Sequence, residues 1–146
     1  MTIQRMDNVG IVVDDLAAVV AFFVALGLEL EGEATVGGPE VDLLVGLEGV
    51  RCDMAVVRTP DGHGRLELMK FQAPAAPAAV GPGAPLNAYG LRRIMFAVED
   101  LDAVIARVRP HGAELVGEVV RYGGGHRLGN LRGPEGIVVA LAEKLS

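Results

Sequence analysis

Residues 8–30, NVGIVVDDLAAVVAFFVALGLEL, and residues 93–115, RIMFAVEDLDAVIARVRPHGAEL, align without a gap and are identical at nine of 23 positions. The matches are Val13/Val98, Asp15/Asp100, Leu16/Leu101, Ala18/Ala103, Val19/Val104, Ala21/Ala106, Gly27/Gly112, Glu29/Glu114 and Leu30/Leu115. An offset of 85 residues is too long for a solenoid repeat, so one supersecondary unit is used twice in a chain of 146 residues. Each copy opens on a β-rich run, VGIVV or RIMFAV. Asp15 or Asp100 follows as a helix N-cap, and apolar residues then recur three or four apart. Gly27 and Gly112 stand where a left-handed C-terminal cap is wanted, and Pro110 helps to end the second helix.

Working outward, each helix is followed by strand-like runs. In the first half these are Leu28–Val36, Val50–Thr59 and Arg65–Phe71, with a short helical piece at Val41–Leu47. In the second they are Ala113–Tyr122, His126–Arg132 and Ile137–Ala142. Pro60-Asp61-Gly62 and Pro134-Glu135-Gly136 precede the last strand of each half, as turn chemistry requires. The expected fold class is therefore α+β, with a first βαβββ module over residues 1–72, an Ala/Pro/Gly-rich linker over 73–89 and a second module over 90–146. Fully extended, the linker spans about 50 Å, enough for the halves to pair within one chain or be exchanged between two.

The bulk numbers narrow the function classes. A formal charge of −6 and a pI near 5.0 argue against a nucleic-acid surface, which needs a basic stripe. The single cysteine, Cys52, excludes an intrachain disulfide and fits a reducing compartment. The start, MTIQRMDNV, lacks the pattern of a signal peptide, and no run has the length of a membrane span. The expectation is a soluble cytoplasmic protein without nucleic-acid or membrane partners.

Two βαβββ modules, each with an acidic helix start and a P-[DE]-G turn, resemble the vicinal oxygen chelate superfamily. That group contains glyoxalases, bleomycin-resistance proteins and extradiol dioxygenases. The residues that carry the resemblance are NVGIVVDDLAAVVAFF, LGLEL and RLELMKF in the first half, with RRIMFAVEDLDAVIARV, HGAEL and GPEGIVVALAE in the second. The resemblance implies an incomplete, curled, mixed β-sheet barrel with helices outside and a ligand cavity within, forming one domain overall. Enzymes of the superfamily hold a divalent metal with up to four side chains, usually His or Glu, from the first and last strands of both modules.

Carried onto this chain, those ligand positions fall on Asn8, Glu67, Arg93 and Ala140. Only Glu67 is of the usual type. Asn8 offers a weak carbonyl oxygen, a guanidinium repels a cation, and Ala140 has no donor. A one-residue slip in the last strand would meet only Val139 or Leu141. No metal and no cofactor are expected. Strand alternation places Asn8, Gly10 and Val12 on one face. It likewise groups Glu67 with Arg65, Met69 and Phe71, Arg93 with Met95 and Ala97, and Ala140 with Val138 and Ala142. A mainly apolar wall with isolated polar groups suits a small molecule. Arg93 is expected to pair with Glu67, or to bind a ligand carboxylate or phenolate.

Tyr122 and His126, with Arg121 and Arg127, are expected at the cavity rim. His63 reads as a loop residue and Cys52 as core. With no Trp, Phe71, Tyr89 and Tyr122 would have to do any stacking. The expected function is a metal-free binder of the bleomycin-resistance type, a homodimer sequestering a hydrophobic or aromatic ligand through Asn8, Glu67, Met69, Phe71, Arg93, Met95, Tyr122 and His126. The alternative is a glyoxalase-like lyase or isomerase, or a dioxygenase, with a non-standard or relocated metal site, or a metal-free catalyst with Glu67 as its general base.

Overall fold

The computed structural model describes residues 2–77 and 81–146. The chain divides into two compact units, Met1–Pro77 and Ala78–Ser146, each built as βαβββ with its own four-stranded mixed sheet. The α+β class and the two modules follow directly from the repeat.

In the first unit β1 (Val9–Val12) leads into α1 (Leu16–Leu26). Then come β2 (Glu29–Gly37), a short α2 (Pro39–Val45), β3 (Arg51–Arg58) and β4 (Arg65–Ala73). The sheet order is β1-β4-β3-β2, with β1 parallel to β4 and the other pairs antiparallel. Asp15 caps α1 by accepting the Ala18 N–H at 3.1 Å. The α1 residues Val19, Phe22, Phe23 and Leu26 are buried, as are Ala55, Val57, Leu66 and Leu68 of the sheet. Phe22 and Phe23 meet edge to face, 5.1 Å between ring centres. Registers Val9↔Leu66 and Ile11↔Leu68 put Val9 and Ile11 on the same helix-side face.

Helix α2 starts two residues earlier than its apolar run suggests. Pro39 presets its first turn, and Gly46, at φ 73°, closes it. Its apolar residues are not core: Leu43 and Leu44 are 85% and 83% exposed. The outermost strand, β2, is largely exposed on both faces and carries Glu29, Glu31 and Glu33. Its pairing with β3 slips at Glu31, between Leu30 and Gly32.

The second unit runs β5 (Ile94–Val98), α3 (Leu101–Val108), β6 (Glu114–Tyr122), β7 (His126–Arg132) and β8 (Val138–Lys144), in sheet order β5-β8-β7-β6. Asp100 caps α3 through the Ala103 N–H at 3.0 Å. The α-helix ends at Val108, short of Gly112, and a 3-10 turn through Pro110 carries the chain on to Gly112 at φ 87°. Leu101, Val104, Ile105 and Val108 are buried, as are Leu131, Val139 and Leu141 of the sheet.

Part of the Pro/Gly-rich segment is held against this second unit. The Arg132 guanidinium donates to the Pro82 and Ala84 carbonyls, both at 2.9 Å. Gly136, at φ 80°, lies so close to Pro82 that a Cβ there would stand 2.3 Å from the Pro82 carbonyl oxygen. The backbone approaches where only hydrogen fits.

Candidate functional site

Of the residues predicted to face a ligand, Glu67, Met69, Phe71, Met95, Tyr122 and His126 lie on the face of their own sheet that carries no helix, while Asn8 and Arg93 stand just before β1 and β5, outside the ladders. In the first unit, registers Gly10↔Glu67, Val12↔Met69, Met54↔Met69 and Cys52↔Phe71 align Gly10, Val12, Cys52, Met54, Glu67, Met69 and Phe71 on that face. Met69 reaches across to Gly10, where a Cβ would sit 2.9 Å from the Met69 methyl. Glu67 is half-buried on this apolar surface, and among the described residues of its own unit it has no ion-pair partner. Arg65, on the same face, is committed to Glu31 at 2.8 Å and to the Gly62 carbonyl at 3.0 Å. Burial, followed by the charges of Asp53 and Glu67, pushes the Cys52 thiol up, so it is no activated nucleophile. His63 is exposed in the turn before β4, as expected of a loop residue.

In the second unit Met95, 48% exposed, pairs with Ala140, and Ala97 with Ala142. Arg93 is exposed just before β5 and has no ion-pair partner among the described residues of its unit. Asn130, opposite Ala140 and Val116, has an Oδ1 closed off from solvent without a donor. An orphaned acceptor of this kind typically costs about 1–3 kcal/mol.

The far end of this face departs from expectation. Tyr122 pairs with His126, and His126 with Lys144, in one cross-strand row. Arg121 and Arg127 pair with each other and with Glu143, one residue out of phase, and so belong to the helix side. Arg127 donates to both Asp102 oxygens, at 3.0 and 3.1 Å, and Glu143 accepts the Leu101 N–H at 2.7 Å. The Arg127 hydrogen bond, and then its charge, hold Asp102 below the usual carboxylate range. Arg121 and Arg127 are therefore not rim residues beside His126. Lys144, which lies beyond the predicted end of its strand at Ala142, takes that place.

The registers also settle which residue of β8 corresponds to Glu67. Glu67 faces Gly10, two residues beyond Asn8, and Ala140 faces Met95, two residues beyond Arg93. Val139 and Leu141, on either side, are buried toward the helix. The positions that the resemblance implies for a metal would thus comprise an amide and a carboxylate in one unit, and a guanidinium and a methyl group in the other. The second pair supplies no lone pair to a cation, so these residues do not fit the metal. Among the described residues, no group of three or more His, Cys, Asp and Glu side chains is placed to hold one elsewhere.

Comparison with known proteins accords with this architecture. A model of the Glyoxalase/Bleomycin resistance protein/Dioxygenase superfamily matches residues 5–141. The chain is similar over its whole length, and over 97% of the other's, to a glyoxalase family protein from Bacillus cereus, at 46% identity and a TM-score of 0.94. It shares its fold with a glyoxalase family protein from Enterococcus faecalis, at 22% identity, a TM-score of 0.64, and coverage of 98% and 100% of the two chains. The same holds for TnmS3, an antibiotic binding protein from a Streptomyces species, at 19% identity, a TM-score of 0.61 and 99% of both chains. No curated protein matches the sequence. With a superfamily model spanning nearly the whole chain and both βαβββ modules in place, this protein belongs to the glyoxalase/bleomycin resistance protein/dioxygenase superfamily.

Proposed function

We propose that this chain is a metal-free small-molecule-binding protein of the bleomycin-resistance type, taking a hydrophobic or aromatic ligand on its helix-free sheet faces. The observation that supports this reading is the donor set itself: at the positions where the resemblance implies cation ligands, this chain has Asn8, Glu67, Arg93 and Ala140. Around them the faces are apolar, with Val12, Met54, Met69 and Phe71 on one and Met95, Ala97 and Ala142 on the other. Apolar walls with a few polar groups favour binding through burial, with orientation set by the polar contacts. Glu67 and Arg93 are the proposed polar contacts, Arg93 for a carboxylate or phenolate. An antibiotic binding protein has the same fold, which supports the reading. A homodimer acting in the cytoplasm completes the proposal.

A second reading is a metal-free lyase or isomerase. The half-buried Glu67 carboxylate, without a cationic partner among the described residues of its unit, is the observation that favours it, as a general base.

The test is the metal content of untagged protein by inductively coupled plasma mass spectrometry, after incubation with Zn, Ni, Fe and Mn. No stoichiometric retention is expected, and near-stoichiometric retention of any of them overturns the reading. Arg93→Ala then weakens ligand binding if the guanidinium meets the ligand, and leaves binding unchanged if it does not.

A further inference from the structure

We propose that the row Tyr122–His126–Lys144 is an anion-recognition site. It would receive the carboxylate, phenolate or phosphate end of an amphiphilic ligand whose apolar body lies along the helix-free face of the second unit. The proposal deepens the small-molecule-binding reading and rests on it.

Three observations carry it. The first is convergence. Tyr122, His126 and Lys144 are directly opposed on three adjacent strands, so their side chains rise from one face at intervals of about 5 Å. An ammonium, an imidazole and a phenol hydroxyl offer hydrogen-bond donors from three directions. No side chain of the three makes a hydrogen bond or ion pair among the described residues, and all three are exposed. Of the cations nearby, Arg127 holds Asp102 and Glu143, Arg132 holds the Pro82 and Ala84 carbonyls, and Arg121 lies on the other face.

The second is the layering of the same face. Beside the polar row lies an apolar one, Val120–Leu128–Ala142–Ala97. Beyond that come Val116, Asn130, Ala140 and Met95, with the Asn130 Oδ1 lacking a donor. From Lys144 to Ala140 along β8 is about 13 Å at strand rise. A ligand with an anionic head and an apolar body meets the polar row and the apolar row beside it.

The third is the division of charge. The first unit carries five Lys and Arg against twelve Asp and Glu, a net of −7, and the second eight against seven, a net of +1. In an acidic protein the second unit is where an anion is least repelled.

The experiment is a ¹H–¹⁵N NMR titration of the full chain with 6-hydroxy-2-naphthoate and, as the uncharged control, its primary carboxamide. The naphthoate is expected to shift the amides of Tyr122, His126 and Lys144 and to bind more weakly as salt is raised. Lys144→Gln and His126→Gln, both at exposed positions, are each expected to weaken it about three- to fivefold, as for an exposed charged contact, while leaving the carboxamide unchanged. Arg127→Met, on the other face, should leave naphthoate binding unaltered. If the naphthoate binds elsewhere on the chain, or binds as its carboxamide does, the anion site is refuted and the binding function stands. If neither compound shifts any resonance at millimolar concentration, both the site and the small-molecule-binding reading fall.

Discussion

Replacing Gly136 by alanine tests whether the Pro82–Ala84 segment is docked or merely adjacent, and Gly112 provides the control. Both glycines have positive φ, 80° and 87°, so alanine at either pays the left-handed strain of about 1–2 kcal/mol. They differ in surroundings: a Cβ on Gly112 meets nothing within 4 Å, whereas one on Gly136 would stand 2.3 Å from the Pro82 oxygen and 2.6 Å from its Cα. These are backbone atoms, so the segment itself must move. The cost of moving it is capped by what holds it, chiefly the two Arg132 hydrogen bonds. Bonds to a charged donor are worth about 1.5–3 kcal/mol each when shielded, and less where water can replace them. An excess of about 1–3 kcal/mol for Gly136→Ala over Gly112→Ala is therefore expected. Equilibrium urea unfolding followed by circular dichroism resolves it, since 2 kcal/mol moves a midpoint by about 1 M at an ordinary slope. The decisive arm is the same pair in an Arg132→Ala background. With the segment released, the excess should fall to within about 0.5 kcal/mol of zero. Equal costs for the two alanines in the original chain, or an undiminished excess without Arg132, would refute the docking.

Two further outcomes can be measured on the same footing. Asp102 is held below its ordinary value of 3.8 by the hydrogen bond and charge of Arg127, so it stabilises the fold above that value and ceases to do so as pH falls through its folded value. Asp102→Asn should lower the urea midpoint at pH 7 and make no difference at pH 2; an equal deficit at both contradicts the pairing. Leu68, fully buried beneath α1, should cost about 2–5 kcal/mol as alanine, against under 0.5 kcal/mol for Leu43→Ala on the exposed side of α2. Thermal unfolding of the two variants distinguishes them.

Much of the architecture was legible because it is written in local chemistry. Asp15 and Asp100 cap where a carboxylate before an apolar 3.6-residue pattern should, and the alternation around Glu67 and Met95 held because their strands run without a bulge there. The site was less legible where pairing intervenes. Residues 122 and 126 flank a glycine turn, and only the ladder shows that Arg121 and Arg127 share the opposite side. Lys144 was missed because charged residues close β8, and composition does not show that pairing continues past Ala142. The docking of Pro82 was missed for a simpler reason. A Pro/Gly-rich run announces an absence of regular structure, and nothing local tells which guanidinium will find its carbonyls.

The outer edge of β2 bears on how copies of this chain can meet. A nine-residue strand at the margin of a sheet leaves a row of unpaired N–H and C=O groups, a template for edge-to-edge growth into extended aggregates. Here Glu29 and Glu31, paired with Arg58 and Arg65, and Glu33 lie along that margin, and the slip at Glu31 breaks its flatness. A second chain approaching antiparallel brings the same carboxylates against them. Lateral fusion through β2 is thereby disfavoured.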